Sequence, residues 1–170
     1  MLAKAILSIL TFLLMLFPNC TRLQVEYRQR IVNRDLTEAN IVRIINAHDV
    51  DALETLMCGN IKQNVQDLRD KIGEFFNAFD SEISAFTLGS KGTYSANHGN
   101  GKSLHQVVTQ INFDTPSGSY GIVYMWETYN SFQPNEMGIR SITLAEVVPP
   151  STVTILYDIS ATNGIGEWHE

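Results

Sequence analysis

The spacing of the apolar residues changes near the middle of the chain, and this change limits the fold more than any other feature of the sequence. Before Phe79, apolar residues recur at intervals of three and four, as on the buried face of a helix. After Phe79 they alternate with polar residues, as in a strand with one buried face. The sequence therefore predicts helices followed by an antiparallel sheet, which is the α+β class.

Three helices are predicted in the first part, over residues 37–47, 49–59 and 60–79. Thr37 lies directly before the first apolar face, and Asp49 before the second, so both are predicted N-caps. Gly59 is the predicted end of the second helix, because glycine is the usual residue just past a helix C-terminus.

Four strands and a further edge strand are predicted after the helices, over residues 83–90, 102–113, 120–129, 138–147 and 153–159. Residues 92–102 are rich in glycine and asparagine and are predicted to form a long loop. Pro149 and Pro150 are predicted to close the sheet, because proline has no backbone donor for a ladder. Antiparallel sheets twist, so we expect a curved sheet of four to five strands around an apolar interior.

The chain begins with a segment typical of an export signal. Lys4 is followed by an apolar block, residues 5–17, that only Ser8 and Thr11 interrupt and that is too short for a permanent membrane span of about twenty apolar residues. Pro18 and Asn19 end this block, and Cys20 follows them. We therefore expect residues 1–20 to be a signal peptide and Cys20 to carry a lipid that anchors an exported protein to the cell membrane.

Other outcomes for Cys20 stay open in the sequence. The residues before it, 17–19, differ from the usual lipoprotein pattern, so secretion without a lipid and retention by an uncleaved leader are alternatives. A disulfide with Cys58 is a third, and it competes with lipidation for the same sulfur. Residues 21–36 are predicted to be a polar tether or helix, 37–147 the folded domain, and 148–170 an extension with a frayed tail.

Charge and motifs exclude several classes of function. The formal net charge is −6 and the cations are scattered, which does not suit a nucleic-acid partner. The sequence contains no G-x-S-x-G, P-loop, H-E-x-x-H or paired-cysteine zinc spacing, so hydrolase, nucleotide and zinc sites are disfavoured. We therefore expect neither a cofactor nor a metal.

His105 and Glu127 are the only candidates for acid–base chemistry that the pattern offers. His105 shares a strand side with Val107, Thr109, Ile111 and Phe113, and paired with a carboxylate on the next strand it could act as a general base. The structural alternative is a half-exposed histidine at a strand end. His105, Tyr124 and Trp126 are also candidate walls of a small-ligand pocket, against the alternative that the two aromatic residues are simply core.

Four segments carry a resemblance to a known family: "IVRIINAHDVDALETLM", "IGEFFNAFDSEISAFTLGS", "GSYGIVYMWETYN" and "MGIRSITL". In this order, over residues 36–147, they resemble a family of bacterial lipoproteins described as domain of unknown function 5104. That family is similar to the cystatin-like cone of the nuclear transport factor 2 superfamily. The resemblance implies a cone-shaped domain and transfers no catalytic residues, because the matching segments are packing patterns.

These observations favour a non-catalytic domain that is tethered to the cell envelope and binds a small ligand, a peptide or an envelope protein. The first alternative is a cone-type isomerase or dehydratase that uses His105 and Glu127, an analogy that rests on fold alone. The second is a structural module that forms a homodimer through its open sheet face.

Overall fold

The computed structural model describes residues 25–30, 32–78, 81–98, 102–131, 133–148 and 152–161. The helices come first along the chain: α1 (Glu38–Asn46), α2 (Val50–Leu56), α3 (Gly59–Asn64) and α4 (Leu68–Asn77). Residues 25–30 and 32–35 are also helical.

Five strands follow and form one sheet: β1 (Thr87–His98), β2 (Lys102–Thr115), β3 (Gly118–Asn130), β4 (Gly138–Val148) and β5 (Thr152–Ser160). Their order in the sheet is their order along the chain, and every neighbouring pair is antiparallel. A short 3₁₀ helix, Pro134–Glu136, precedes β4. The predicted α+β class is therefore confirmed, and the predicted edge strand is present as β5.

The sheet has an inner face, against which the helices pack, and an outer face that carries none of the described helices. On the inner face Ile111, Ile122 and Ile142 are 0 % exposed, and helix residues such as Ile45 and Phe75 are equally buried. On the outer face Val123 is 37 % exposed at the centre of the sheet. A single apolar core therefore lies between the inner face and the helices.

The predicted N-caps are confirmed, but the second helix ends earlier than predicted. The side chain of Asp49 accepts a hydrogen bond from the backbone N–H of Ala52 at 3.0 Å. α2 ends at Leu56 because the chain then leaves helical geometry: the N–H of Cys58 donates to the carbonyl of Ile139 in β4. Gly59 does not end α2 and is instead the first residue of α3.

The prediction of one helix over residues 60–79 is wrong, because the chain breaks between α3 and α4. Asp67 lies in the left-handed region with a φ of 53°, which interrupts the helix. Apolar spacing does not reveal such a break, since Ile61 and Ile72 face the same core on either side of it. The third predicted helix therefore corresponds to two helices, α3 and α4.

The first strand was predicted too early and the loop after it too long. β1 begins at Thr87 and continues through the glycine- and asparagine-rich residues to His98, which is opposite Lys102 in β2. β1 is an edge strand, and nearly all of its described side chains are exposed. The sequence of β1 therefore shows no alternation of apolar and polar residues. The strand forms because its backbone pairs with β2. Ile83, before β1, is held by the Asn46 side chain, which bonds both its N–H and its carbonyl.

The segment before α1 contributes to the core, since Val25, Val32 and Leu36 are 7 %, 4 % and 3 % exposed. In the part of the chain that the structure describes, no helix is long and apolar enough to cross a membrane. The predicted signal peptide with Cys20, the two prolines 149–150 and the tail beyond 161 lie outside the described residues.

Candidate functional site

Three polar side chains lie next to one another on the inner face, and we call them the inner polar cluster: Thr109, Tyr124 and Trp126. Thr109 on β2 is directly opposite Tyr124 on β3. Trp126 is two residues further along β3, so it faces the same side at roughly 7 Å. These residues are 1 %, 0 % and 7 % exposed.

The polar atoms of the inner polar cluster make no hydrogen bond of good geometry among the described residues, although the Thr109 hydroxyl is close enough to that of Tyr124 to lower the pKa of Tyr124. These atoms are the hydroxyl oxygens of Thr109 and Tyr124 and the indole Nε1 of Trp126. A buried polar group without a partner lowers the free energy of unfolding by about 1–3 kcal/mol. Three such neighbours would therefore destabilise a small domain considerably. Buried polar groups in folded proteins are nearly always bonded to protein, water or ligand. The cluster is therefore a candidate position for a bound water or a bound ligand.

A charged pair lies beside the inner polar cluster. Lys91 on β1 is opposite Thr109, and its Nζ lies 3.1 Å from a carboxylate oxygen of Glu38 at the start of α1. Burial raises the pKa of the Tyr124 hydroxyl, the charge of Glu38 raises it further, and the neighbouring Thr109 hydroxyl lowers it by a smaller amount. Tyr124 therefore stays a neutral hydrogen-bond donor at every physiological pH.

His105 lies on the same face as the inner polar cluster, one pair further along the strands than Val107 and Trp126. Its Nδ1 is 3.0 Å from the hydroxyl of Ser95, and its ring contacts Tyr129 edge-on with centroids 5.6 Å apart. Its side chain is half-buried. The structure thus brings His105, Trp126 and Tyr124 onto one face of β2 and β3.

Glu127 lies on the opposite face from Trp126, because neighbouring strand residues point to opposite sides. It is 0 % exposed, and Arg140 donates to one of its carboxylate oxygens. The amides of Gln106 and Asn130 also donate to it, at 3.3 and 2.8 Å. Its hydrogen bonds therefore go to Arg140 and two amides, whereas that of His105 goes to Ser95, and the structure does not bring His105 and Glu127 together.

Thr109 and the Glu38–Lys91 pair were missed as site residues in the sequence. Thr109 carried a usable signal, because it is the one hydroxyl between the apolar positions Val107 and Ile111 of a buried strand face. The pair carried no signal, since 53 residues separate its members.

Cysteine and metal chemistry have little support. Cys58 is a free thiol, 0 % exposed, and its burial raises the pKa of the thiol. It therefore behaves as a small apolar core residue and forms no disulfide with the described residues; Cys20 lies outside them. Within the described ranges, no group of three His, Cys, Asp or Glu side chains could hold a metal ion.

The fold and the site define an α+β domain with a five-stranded antiparallel sheet and a buried polar cluster on its helix-covered face. Residues 40–148 match the profile of the family described as Domain of unknown function (DUF5104). This match covers more than half of the chain, so the protein belongs to that family. No curated protein matches the chain.

Proposed function

We propose that this protein is an exported, membrane-tethered binding domain without catalytic activity, whose inner face takes a small ligand. The observation that carries the proposal is the inner polar cluster, which presents three buried polar atoms without partners. Most ligand pockets are apolar with a few convergent polar groups, and this cluster among isoleucine and phenylalanine side chains has that composition.

The chemistry of the inner polar cluster specifies the ligand class. The indole N–H of Trp126 only donates, and the hydroxyls of Tyr124 and Thr109 donate and accept. An acceptor group such as a carbonyl satisfies the two aromatic donors together, while the surrounding aliphatic side chains suit an apolar body. We therefore propose a mainly apolar molecule with one carbonyl or hydroxyl head. The cone shape suggested by the family resemblance is part of this proposal, since a cone encloses such a molecule.

The fluorescence of Trp126 provides a direct test. The chain has two tryptophans, and Trp168→Phe leaves Trp126 as the only reporter. We expect decanol, decanoic acid or decanamide to change its emission in a saturable way. Thr109→Val and Tyr124→Phe should each weaken that binding about tenfold, which corresponds to about 1.4 kcal/mol for one lost hydrogen bond.

The stability of the variants without ligand shows whether the Tyr124 hydroxyl belongs to a ligand site or instead holds a structural water. Loss of a structural water would destabilise the protein, whereas loss of an unused ligand contact would not. Tyr124→Phe should leave the free energy of unfolding unchanged or raise it, because the removed hydroxyl makes no hydrogen bond of good geometry with the described residues. Tyr94→Phe is the matched control, since Tyr94 is 60 % exposed. Absence of any emission change with all probes, together with a loss of stability in Tyr124→Phe, would contradict the proposal.

The tether is tested separately at the N-terminus. We expect mass spectrometry of the native protein to find a lipid mass on Cys20, and Cys20→Ala to move the protein from the membrane to the soluble fraction. Cys58→Ala is the control, because Cys58 is buried in the core. Loss of residues 1–20 without any lipid would replace anchoring with simple secretion.

A second candidate function, self-association through the outer face, is favoured by three exposed apolar side chains. Val123, Val153 and Ile155 are 37 %, 62 % and 67 % exposed on that face. Light scattering at several concentrations should show a dimer that Ile155→Asp dissociates. A strict monomer at all concentrations rejects it. An isomerase or dehydratase reaction that uses His105 and Glu127 is disfavoured, because these two side chains have separate partners.

A further inference from the structure

A cavity of about 590 Å³ lies away from the inner polar cluster, at the sheet edge where β1 begins. Thr87, near the start of β1, is opposite Asn112, so the last residues of β2 continue without a β1 partner. We call this cavity the edge groove; its lining includes Phe86, Thr87, Asn112, Asp114, Ser119 and Tyr120. Its volume is within the range of about 300–1,000 Å³ that is typical of small-ligand sites.

The edge groove presents both donors and acceptors that have no partner among the described residues. The side-chain N–H₂ of Asn112 donates no hydrogen bond to the described residues, because only its Oδ1 is engaged, by Gln110 at 2.7 Å. One oxygen of Asp114 accepts from the Ser119 hydroxyl at 2.6 Å, and the other is free to accept within the described part of the chain. Asn112 and Asp114 point to the same side of β2, roughly 7 Å apart.

Glycines on the two strands beside β2 leave room for the side-chain amides of Gln110 and Asn112. A Cβ at Gly89 on β1 would lie 2.8 Å from the Asn112 amide nitrogen and 2.9 Å from the Gln110 side chain. On the other side, a Cβ at Gly121 would lie 3.4 Å from the Asn112 Oδ1. The amides of Gln110 and Asn112 therefore occupy space that a side chain at either glycine would fill.

The charge and the rings of the edge groove narrow the class of ligand. Among the described residues, its lining contains one carboxylate, Asp114, and no lysine, arginine or histidine, so anionic ligands are disfavoured. Phe86 is half-buried and presents part of its ring, next to the stacked pair Phe113 and Tyr120. Aromatic surface beside amide and carboxylate groups suits a molecule with hydroxyl groups on one side and C–H groups on the other.

We infer that the edge groove binds a neutral saccharide, a short oligosaccharide with vicinal hydroxyls toward Asn112 and Asp114. A sugar hydroxyl accepts from the Asn112 N–H₂ and donates to the Asp114 carboxylate, so one pair of neighbouring hydroxyls satisfies both side chains. An added peptide strand is disfavoured, because β2 continues for only three residues, 113–115, beyond its last pair with β1, which is a short edge. This site is separate from the inner polar cluster.

The test is a titration of the ¹⁵N-labelled protein with cellohexaose, maltohexaose and chitohexaose, followed by NMR and calorimetry. At least one of them should shift the Asn112 side-chain N–H₂ signals and the Asp114 backbone signal in a saturable way. The double variant Asn112→Ala with Asp114→Ala should bind that oligosaccharide at least tenfold more weakly. Asn97→Ala, an exposed asparagine of β1 outside the groove, is the matched control and should bind as the unaltered protein does.

A blocking variant keeps the test decisive if the double variant loses its fold. Thr87→Trp fills the mouth of the edge groove from an exposed position and should abolish binding while the dispersion of the spectrum is retained. The inference is overturned if no neutral oligosaccharide shifts these signals. It is also overturned if only the deacetylated, cationic form of chitohexaose binds, since charge and not hydroxyl geometry would then explain recognition.

Discussion

Gly138 shows how a single residue holds the helices to the sheet. Its φ is 133°, a conformation that other residues rarely adopt. A Cβ there would lie 2.5 Å from the backbone carbonyl oxygen of Leu56, at the end of α2. Next to it, the carbonyl of Ile139 accepts the hydrogen bond from Cys58 that ends α2. Glycine at 138 therefore permits the direct backbone contact between α2 and β4.

Replacing this glycine should destabilise the protein strongly. We expect Gly138→Ala to lower the free energy of unfolding by about 3 kcal/mol, because it combines backbone strain with a clash against backbone atoms. Urea denaturation measures the change. Gly73→Ala is the matched control: nothing lies within 4 Å of its Cβ in α4, so alanine there should stabilise by about 0.5–1 kcal/mol. Equal effects at both positions would contradict the proposed contact.

At the scale of elements, β5 is joined to α4 by one aromatic residue. The ring of Tyr157 contacts Phe75 edge-on with centroids 6.2 Å apart, and its hydroxyl donates to the carboxylate of Glu74. Burial and the hydrogen bond to Glu74 together raise the pKa of Tyr157 from its ordinary value of 10 to about 12. The last strand of the sheet is therefore held to the helical layer through Tyr157.

This contact predicts a loss of stability in alkali. Because the pKa is raised in the folded state, the stabilisation is complete below pH 10 and is lost as the pH rises from 10 towards 12. Tyr157→Phe should cost about 1 kcal/mol at pH 8 and should make the decline above pH 10 less steep. Urea unfolding at a series of pH values measures both effects. Tyr94→Phe, at an exposed tyrosine, is the control and should leave the decline as steep as before.

At the scale of the whole molecule, helices and strands share one apolar core. Ile45 of α1, Ile72 of α4 and Ile142 of β4 are all 0 % exposed and belong to the same cluster. Neither layer can bury its apolar face without the other. Separate melting of the helices is therefore not expected.

The shared core predicts a single cooperative transition. In a Trp168→Phe background, the loss of helical circular dichroism and the change in Trp126 fluorescence should occur at the same urea concentration. The first signal reports α1 to α4, and the second reports the centre of the sheet. If the helical signal were lost at clearly lower urea, the two layers would be separate folding units.

Local residue patterns in the sequence are sufficient to predict the fold class of this protein. The change of apolar spacing after Phe79 and the N-caps Thr37 and Asp49 act within a few residues of chain, so the sequence displays them directly. The same holds for the aromatic positions Tyr124 and Trp126 on one strand face.

Only the tertiary structure decided the features that join distant parts of the chain. Asp67 breaks a helix without changing the apolar spacing, and β1 exists because β2 supplies its hydrogen bonds. The partners of Glu127 and the isolation of the Thr109 and Tyr124 hydroxyls likewise depend on strand register and on one-residue bulges. The physical reason is common to all of them: which groups are satisfied, and which stay free to bind, depends on what the rest of the chain places beside them.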